Sequence, residues 1–151
     1  MYVTVEEYQS YATSVGKTLP ATEAEQTQQL LKASHFIDAN EQSFMGIRTE
    51  RDQSYAFPRY GFVYKGYSYD SDEVPADVER CQMELALDIN DGINIFDREY
   101  SKQVTRETVG PITVEYTDPA TSSTRRKQSL GLMLLNGFMK SANISMRLTR
   151  V

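Results

Sequence analysis

The stretch Thr22-Glu23-Ala24-Glu25-Gln26-Thr27-Gln28-Gln29-Leu30-Leu31-Lys32-Ala33-Ser34-His35-Phe36-Ile37-Asp38 decides the fold class. Thr22 and Glu25 have the spacing of a capping box, in which a hydroxyl and a carboxylate each satisfy the other residue's backbone N–H. Behind them Leu30, Ala33, Ile37, Glu41 and Phe44 fall on one helical stripe, with Leu31, Ser34 and Met45 beside it. Only Glu41 breaks the apolar face. The pattern predicts a helix over about residues 23–45, closed by Gly46 and roughly 35 Å long at about 1.5 Å per residue.

Toward the N-terminus, Thr4 and Glu7 repeat the capping-box spacing. Val5, Tyr8, Ala12 and Val15 follow at helical intervals, and Gly16 is a natural stop. In the other direction, residues 47–74 have no clean period. Tyr55, Phe57, Tyr60, Phe62, Tyr64, Tyr67 and Tyr69 are separated by Pro58, Gly61 and Gly66, which reads as an ordered loop with a short hairpin around Phe62–Tyr69. A loop this long in a compact domain is often functional.

Pro75 suits the first turn of a third helix, with Asp77 and Glu79 near the positive end of its dipole. Val78, Cys81, Leu85, Ile89, Ile93 and Phe96 are its expected buried face. Gln103–Val109 and Ile112–Tyr116 read as two strands around Gly110-Pro111, a hairpin over about residues 103–116. A fourth helix is expected from about Arg125 to Lys140. Leu130, Leu134, Leu135 and Phe138 line one side, while Leu132, Met133 and Met139 cover much of the rest. A helix apolar nearly all round is either central or packed on two partners. In the tail, Ile144, Met146 and Leu148 alternate with Ser145, Arg147 and Thr149. That is a strand pattern able to join a neighbour's sheet edge, or else a frayed terminus. The expected architecture is mainly α: a four-helix domain over residues 1–140 with a small β-hairpin, then an extended C-terminal docking tail over residues 141–151. Ile144, Met146, Arg147, Leu148 and Arg150 are the tail's candidate partner contacts.

The chain of 151 residues fits one domain with a real core, and 40% hydrophobic and 25% charged residues are ordinary for a globular protein. No apolar run approaches the roughly 18 to 20 residues needed to cross a bilayer, so no membrane partner is expected. The start, Met1-Tyr2-Val3-Thr4-Val5-Glu6-Glu7, lacks a basic and apolar leader, which places the expected site of synthesis and use in a cytoplasm. The formal charge of −5 is uneven. Residues 1–118 hold all 21 acids and 10 bases, giving −11; residues 119–151 hold no acid and six bases, Arg125, Arg126, Lys127, Lys140, Arg147 and Arg150, giving +6. An acidic body repels duplex DNA, whereas the basic end can dock on an acidic surface, touch nucleic acid locally, or simply be solvated.

No catalytic centre, cofactor motif or metal site is legible. His35 lacks a Cys or second His at metal spacing, and Cys81 sits on an apolar stripe where thiols are commonly inert. Asp70, Asp72 and Glu73 lack the downstream spacing and glycine of a calcium loop. The aromatic loop is the best nucleic-acid candidate. Its rings, Tyr55 and Phe57 among them, could stack unpaired bases while Arg48, Arg51, Arg59 and Lys65 neutralise phosphates. Against this, Asp52, Asp70, Asp72 and Glu73 crowd the same region, and tyrosines also serve in packing and subunit contact.

Several segments together resemble one family of small tailed-phage proteins. Tyr2-Val3-Thr4-Val5-Glu6-Glu7-Tyr8 is similar to its opening. Leu30-Leu31-Lys32-Ala33-Ser34-His35-Phe36-Ile37-Asp38 resembles its leucine–alanine–aromatic–aspartate helix, and Phe44-Met45-Gly46-Ile47-Arg48 its aromatic-x-Gly-x-Arg helix end. Gln53-Ser54-Tyr55-Ala56-Phe57-Pro58-Arg59 resembles its Gln-x-x-x-Trp-Pro-Arg loop, with Phe57 in place of Trp. Val74-Pro75-Ala76-Asp77-Val78, Glu84-Leu85-Ala86-Leu87 and Val109-Gly110-Pro111-Ile112-Thr113-Val114-Glu115-Tyr116 follow in the family's order. The family carries two descriptions: head–tail connector or head-completion adaptor, and DnaT-like single-stranded-DNA-binding protein. The first implies a structural, non-enzymatic adaptor made in the host cytoplasm and residing in the virion neck. Its partners would be further copies in a ring, commonly a dodecamer, the portal protein, and a tail or next neck protein. Duplex DNA would pass through without specific binding. In that reading Arg48, Phe57, Pro58 and Arg59 are structural anchors of the loop. The second description implies an alternative function, single-stranded-DNA binding through the aromatic loop 55–69.

Overall fold

A computed structural model describes residues 1–96, 106–109, 112–115 and 129–140. Among these residues four helices carry the fold: α1 (Val5–Ser14), α2 (Glu23–Ala39), α3 (Ala76–Asn90) and α4 (Leu130–Phe138). Three small antiparallel pairs accompany them: β1 (Ile47–Arg48) with β2 (Arg59–Tyr60), β3 (Val63–Tyr64) with β4 (Tyr67–Ser68), and β5 (Arg106–Val109) with β6 (Ile112–Glu115). The protein is mainly α, as the sequence pattern implies. Among the described residues no helix is long and apolar enough to cross a membrane.

Both N-terminal caps form, but the reciprocal box closes only at α1. Thr4 Oγ1 accepts from Glu7 N–H at 3.3 Å while Glu7 Oε2 accepts from Thr4 N–H at 2.7 Å, closing the capping box of α1. Thr22 Oγ1 likewise caps α2 by accepting from Glu25 N–H. The C-terminal end of α2 departs from the periodicity. The helix stops at Ala39, and a 3₁₀ turn (Glu41–Ser43) takes over. Asn40 is the cause: its side-chain amide donates to Phe36 O at 2.8 Å, the carbonyl its own N–H would take in a continuing helix, and that N–H turns to Ile37 O at 3.0 Å. Asparagine competes in this way for nearby backbone groups.

The far end of α3 also differs. Asp91 caps the helix and Gly92 adopts φ +80°, so the helical register is lost. Ile93 and Phe96 are therefore half exposed instead of completing the buried face of Val78, Cys81 and Leu85.

Helix α4 starts at Ser129, whose hydroxyl accepts from Leu132 N–H. It packs on two partners. Gly131 lies against Leu85 of α3, with no room for a side chain: a Cβ there would stand 2.8 Å from Leu85 Cγ. At its other end Phe138 is fully buried among Phe44, Phe57, Phe62 and Tyr64. The chain leaving α4 is tied back to the 3₁₀ turn by Lys140 N–H to Ser43 O at 2.7 Å. The expected start of this helix at Arg125, strand residues 103–105 and 116, and the tail contacts Ile144, Met146, Arg147, Leu148 and Arg150 lie outside the described residues.

Two compact units result. Among the described residues, 1–95 and 129–140 form the helical unit, and the other unit contains the β5–β6 hairpin, paired from Arg106 with Glu115 to Val109 with Ile112.

Candidate nucleic-acid interface

The loop between α2 and α3 has an inner and an outer face. Its inner face is aromatic. Phe57, 3% exposed, meets Phe62 edge-on at a centroid distance of 5.0 Å, and Phe44 lies 5.5 Å from Phe57. Tyr64 stands 5.1 Å from Phe138. Such edge and tilted contacts add to the area these rings bury. Phe57 is thus a core residue, and no base can reach its faces while the loop is folded.

Arg59 is also internal. Its guanidinium donates to three carbonyls: Nε to Met45 O at 2.8 Å, Nη2 to Gly46 O at 2.8 Å and Nη1 to Ala56 O at 3.1 Å. It also sits 6.0 Å from the ring centroids of both Phe44 and Phe57. Burial pushes its pKa below the usual guanidinium range, yet three converging acceptors suit a cation. Glycine is required at position 46, where φ is +73° and a Cβ would come within 2.6 Å of Tyr60 O.

Arg48 crosses the mouth of the loop. It binds Glu41 with Nε and Nη2, the latter at 2.6 Å, and Gln53 O with Nη1 at 2.7 Å. Gln53 holds the loop from within. Its Oε1 accepts from the N–H groups of Thr49 and Glu50, and its Nε2 donates to Tyr55 O and Pro58 O. The Phe57–Pro58 peptide bond is cis, and Pro58 is half-buried. Asp38 joins loop to helix: its Oδ1 accepts from Tyr2 O–H at 2.7 Å and from Ala56 N–H at 2.8 Å. Tyr55 is half-buried beside Tyr2, with the rings 5.5 Å apart.

The outer face carries Tyr60 and Tyr67, 66% and 73% exposed. Tyr60 pairs across β1–β2 with Ile47, itself 65% exposed. Tyr67 pairs with the buried Tyr64 across a two-residue turn, Lys65-Gly66. Both turn residues have positive φ, 51° and 84°, as a type I′ turn requires. Each outward tyrosine stands next to fixed backbone: Tyr60 follows buried Arg59, and Tyr67 faces Tyr64. Sequence reasoning named both among the loop aromatics but could not separate them from the buried rings. The Lys-Gly pair inside Tyr64–Tyr67 is the signal that could have done so.

The loop's cations are mostly committed. Arg59 is buried, Arg48 is tied to Glu41, and Lys65 Nζ lies 2.5 Å from Asp77 Oδ2 and 4.9 Å from the Tyr64 ring centroid. Arg51 is exposed and makes no ion pair among the described residues.

A protein-family model described as "Putative DnaT-like ssDNA binding protein" matches residues 1–151, the whole chain. The chain belongs to this DnaT-like family. No curated protein and no solved structure matches it. The match corrects the partners drawn from the adaptor resemblance. A single-stranded-DNA-binding family conflicts with duplex DNA passing by without specific binding. No comparison supports a head–tail connector family, a portal or tail partner, or a dodecameric ring.

Elsewhere, Cys81 is fully buried, its Sγ donating to Gly131 O at 3.3 Å, and burial pushes its thiol up to about 12. A thiol held neutral in this way is a poor nucleophile. His35 is exposed on α2.

Proposed function

We propose that this chain binds single-stranded DNA by stacking bases on Tyr60 and Tyr67, with the phosphates neutralised mainly by the cationic residues 125–150. The observation that carries the reading is the pairing of two highly exposed tyrosines with a backbone locked by buried neighbours. Membership of the DnaT-like family supports it. The backbone under each ring is fixed and tyrosine has only two χ angles, so stacking costs little conformational entropy. Each stacked base is worth about 1–3 kcal/mol and needs no particular sequence.

Electrostatics divides the work. Residues 47–74 hold four bases against five acids, and the structure engages three of the four cations internally. The loop can therefore stack bases but attracts the strand weakly. Arg125, Arg126, Lys127, Lys140, Arg147 and Arg150, with no acid among residues 119–151, supply the long-range attraction.

The test is fluorescence anisotropy with a labelled oligothymidine at low salt. Wild-type protein should bind with a salt dependence of several phosphates. The Tyr60→Ala/Tyr67→Ala variant should bind at least about tenfold more weakly, from the loss of two stacking contacts, with an unchanged circular-dichroism spectrum. No binding at tens of micromolar protein would remove the reading (an order-of-magnitude threshold for weak sites).

A further inference from the structure

The hairpin tip that presents Tyr67 also carries Lys65, and its charge is already occupied. Lys65 Nζ meets Asp77 Oδ2 at 2.5 Å, a contact reaching from the turn to the first turn of α3. The Tyr64 ring also lies under the ammonium group at 4.9 Å, and its hydroxyl, after Lys65, helps hold the Asp77 carboxyl low. Asp77 is mostly shielded, with 25% of its side chain exposed, while Lys65 is 63% exposed. The carboxylate is thus anchored on the helix, and the ammonium is the accessible partner. The neighbouring Lys65 holds the Asp77 carboxyl below the ordinary aspartate range, so it is ionised at neutral pH.

An ammonium aimed at a fixed carboxylate uses the same donors that would meet a DNA phosphate. We propose that Asp77 acts as an internal stand-in for phosphate, keeping Lys65 from the strand and limiting the affinity of the aromatic hairpin for single-stranded DNA. The inference rests on the stacking role proposed for Tyr60 and Tyr67. Without Asp77, Tyr67 would sit on the same hairpin as an available cation and the loop would hold nucleic acid at higher salt. With Asp77 in place, Lys65 is silent in the wild type, and the hairpin depends on the cationic C-terminal residues for its hold on the backbone.

The substitution Asp77→Asn keeps the side chain's shape while removing its charge. Releasing one lysine adds one phosphate contact, steepening the log–log salt slope by about 0.7 for single strands. If that contact gains nothing at molar salt, the same slope gives about eightfold tighter binding at 50 mM salt and about threefold at 200 mM. The experiment is anisotropy with labelled oligothymidine across that salt range, for wild type, D77N, Lys65→Ala and the double variant. D77N should tighten binding and steepen the slope, Lys65→Ala should leave the wild-type affinity unchanged, and the double variant should lose the gain. Circular dichroism on each variant establishes that the fold is retained.

Wild type binding oligothymidine with D77N no tighter overturns the role of Asp77 and leaves the stacking reading standing. A gain that survives in the double variant also overturns it, because the effect would then come from net charge and not from Lys65. Binding by neither wild type nor D77N overturns both proposals together. D77N binding where wild type does not supports the masking of Lys65 by Asp77 and overturns DNA binding as the function of the wild-type chain.

Discussion

Replacing Arg59 by alanine should destabilise the loop's frame without removing a side chain that touches DNA. The guanidinium supplies the donors for the carbonyls of Met45, Gly46 and Ala56. Each buried acceptor left without a donor costs about 1–3 kcal/mol. The Ala56 contact is buried and the other two are partly buried, so water can reach some of what is exposed. Taking the lower end for each gives about 3 kcal/mol. A domain of this kind has roughly 5–15 kcal/mol of total stability, so that is a large fraction. Urea denaturation followed by far-ultraviolet circular dichroism reads the helices directly and gives the loss from the shift in midpoint. Arg59→Lys should recover only part of it, because one ammonium cannot reach three carbonyls in the fork geometry of a guanidinium. At a temperature where R59A is still folded, its affinity for oligothymidine should match wild type. A stability loss below about 1 kcal/mol would refute the structural account. A large affinity loss in a fully folded R59A would place Arg59 on the phosphate backbone instead.

Other consequences are independent of this one. Gly46→Ala puts a side chain at φ +73° and within 2.6 Å of Tyr60 O, so the melting temperature should fall, by an amount corresponding to about 1–3 kcal/mol of strain. An unchanged melting curve would mean that β1–β2 is not built as described. Asp88 Oδ2 is buried with no hydrogen-bond partner among the described residues, and burial, followed by Glu84 and Asp91, raises its pKa against the pull of Ser129 and Lys17. The unfolded chain then releases this proton at lower pH than the folded one, so the Asp88 contribution to stability falls as pH rises above the ordinary value of 3.8. Asp88→Asn should therefore be more stable than wild type at neutral pH, with the difference shrinking toward pH 4; equal stability at both would contradict it.

The helices were legible because their signals are local. Thr4 with Glu7, and Thr22 with Glu25, need only three residues of context to form a cap. The end of α2 was not, because Phe44 and Met45 continue the apolar stripe while the Asn40 side chain ends the helix through one hydrogen bond to Phe36. The same holds at α3, where Ile93 and Phe96 keep the spacing but Gly92 turns the chain away. The aromatic loop was the hardest part to read. Its strands are two residues long, too short for an alternation to show. Which rings go inside is decided by Phe138, which arrives from α4 more than sixty residues downstream. The motif Gln53–Arg59 gave Phe57 and Arg59 two roles, loop anchors in the adaptor reading and DNA contacts in the alternative, and both side chains lie in the loop's interior. The exposed Tyr60 and Tyr67 carry no motif of their own.

The most direct test of the account is photocrosslinking to a bromouracil-substituted single strand, with the attached residues mapped by mass spectrometry. Crosslinks should concentrate at Tyr60 and Tyr67 and be absent from Phe57. Attachment that bypasses residues 59–69 altogether, in a protein that does bind the strand, would contradict the outward tyrosines as the place where bases stack.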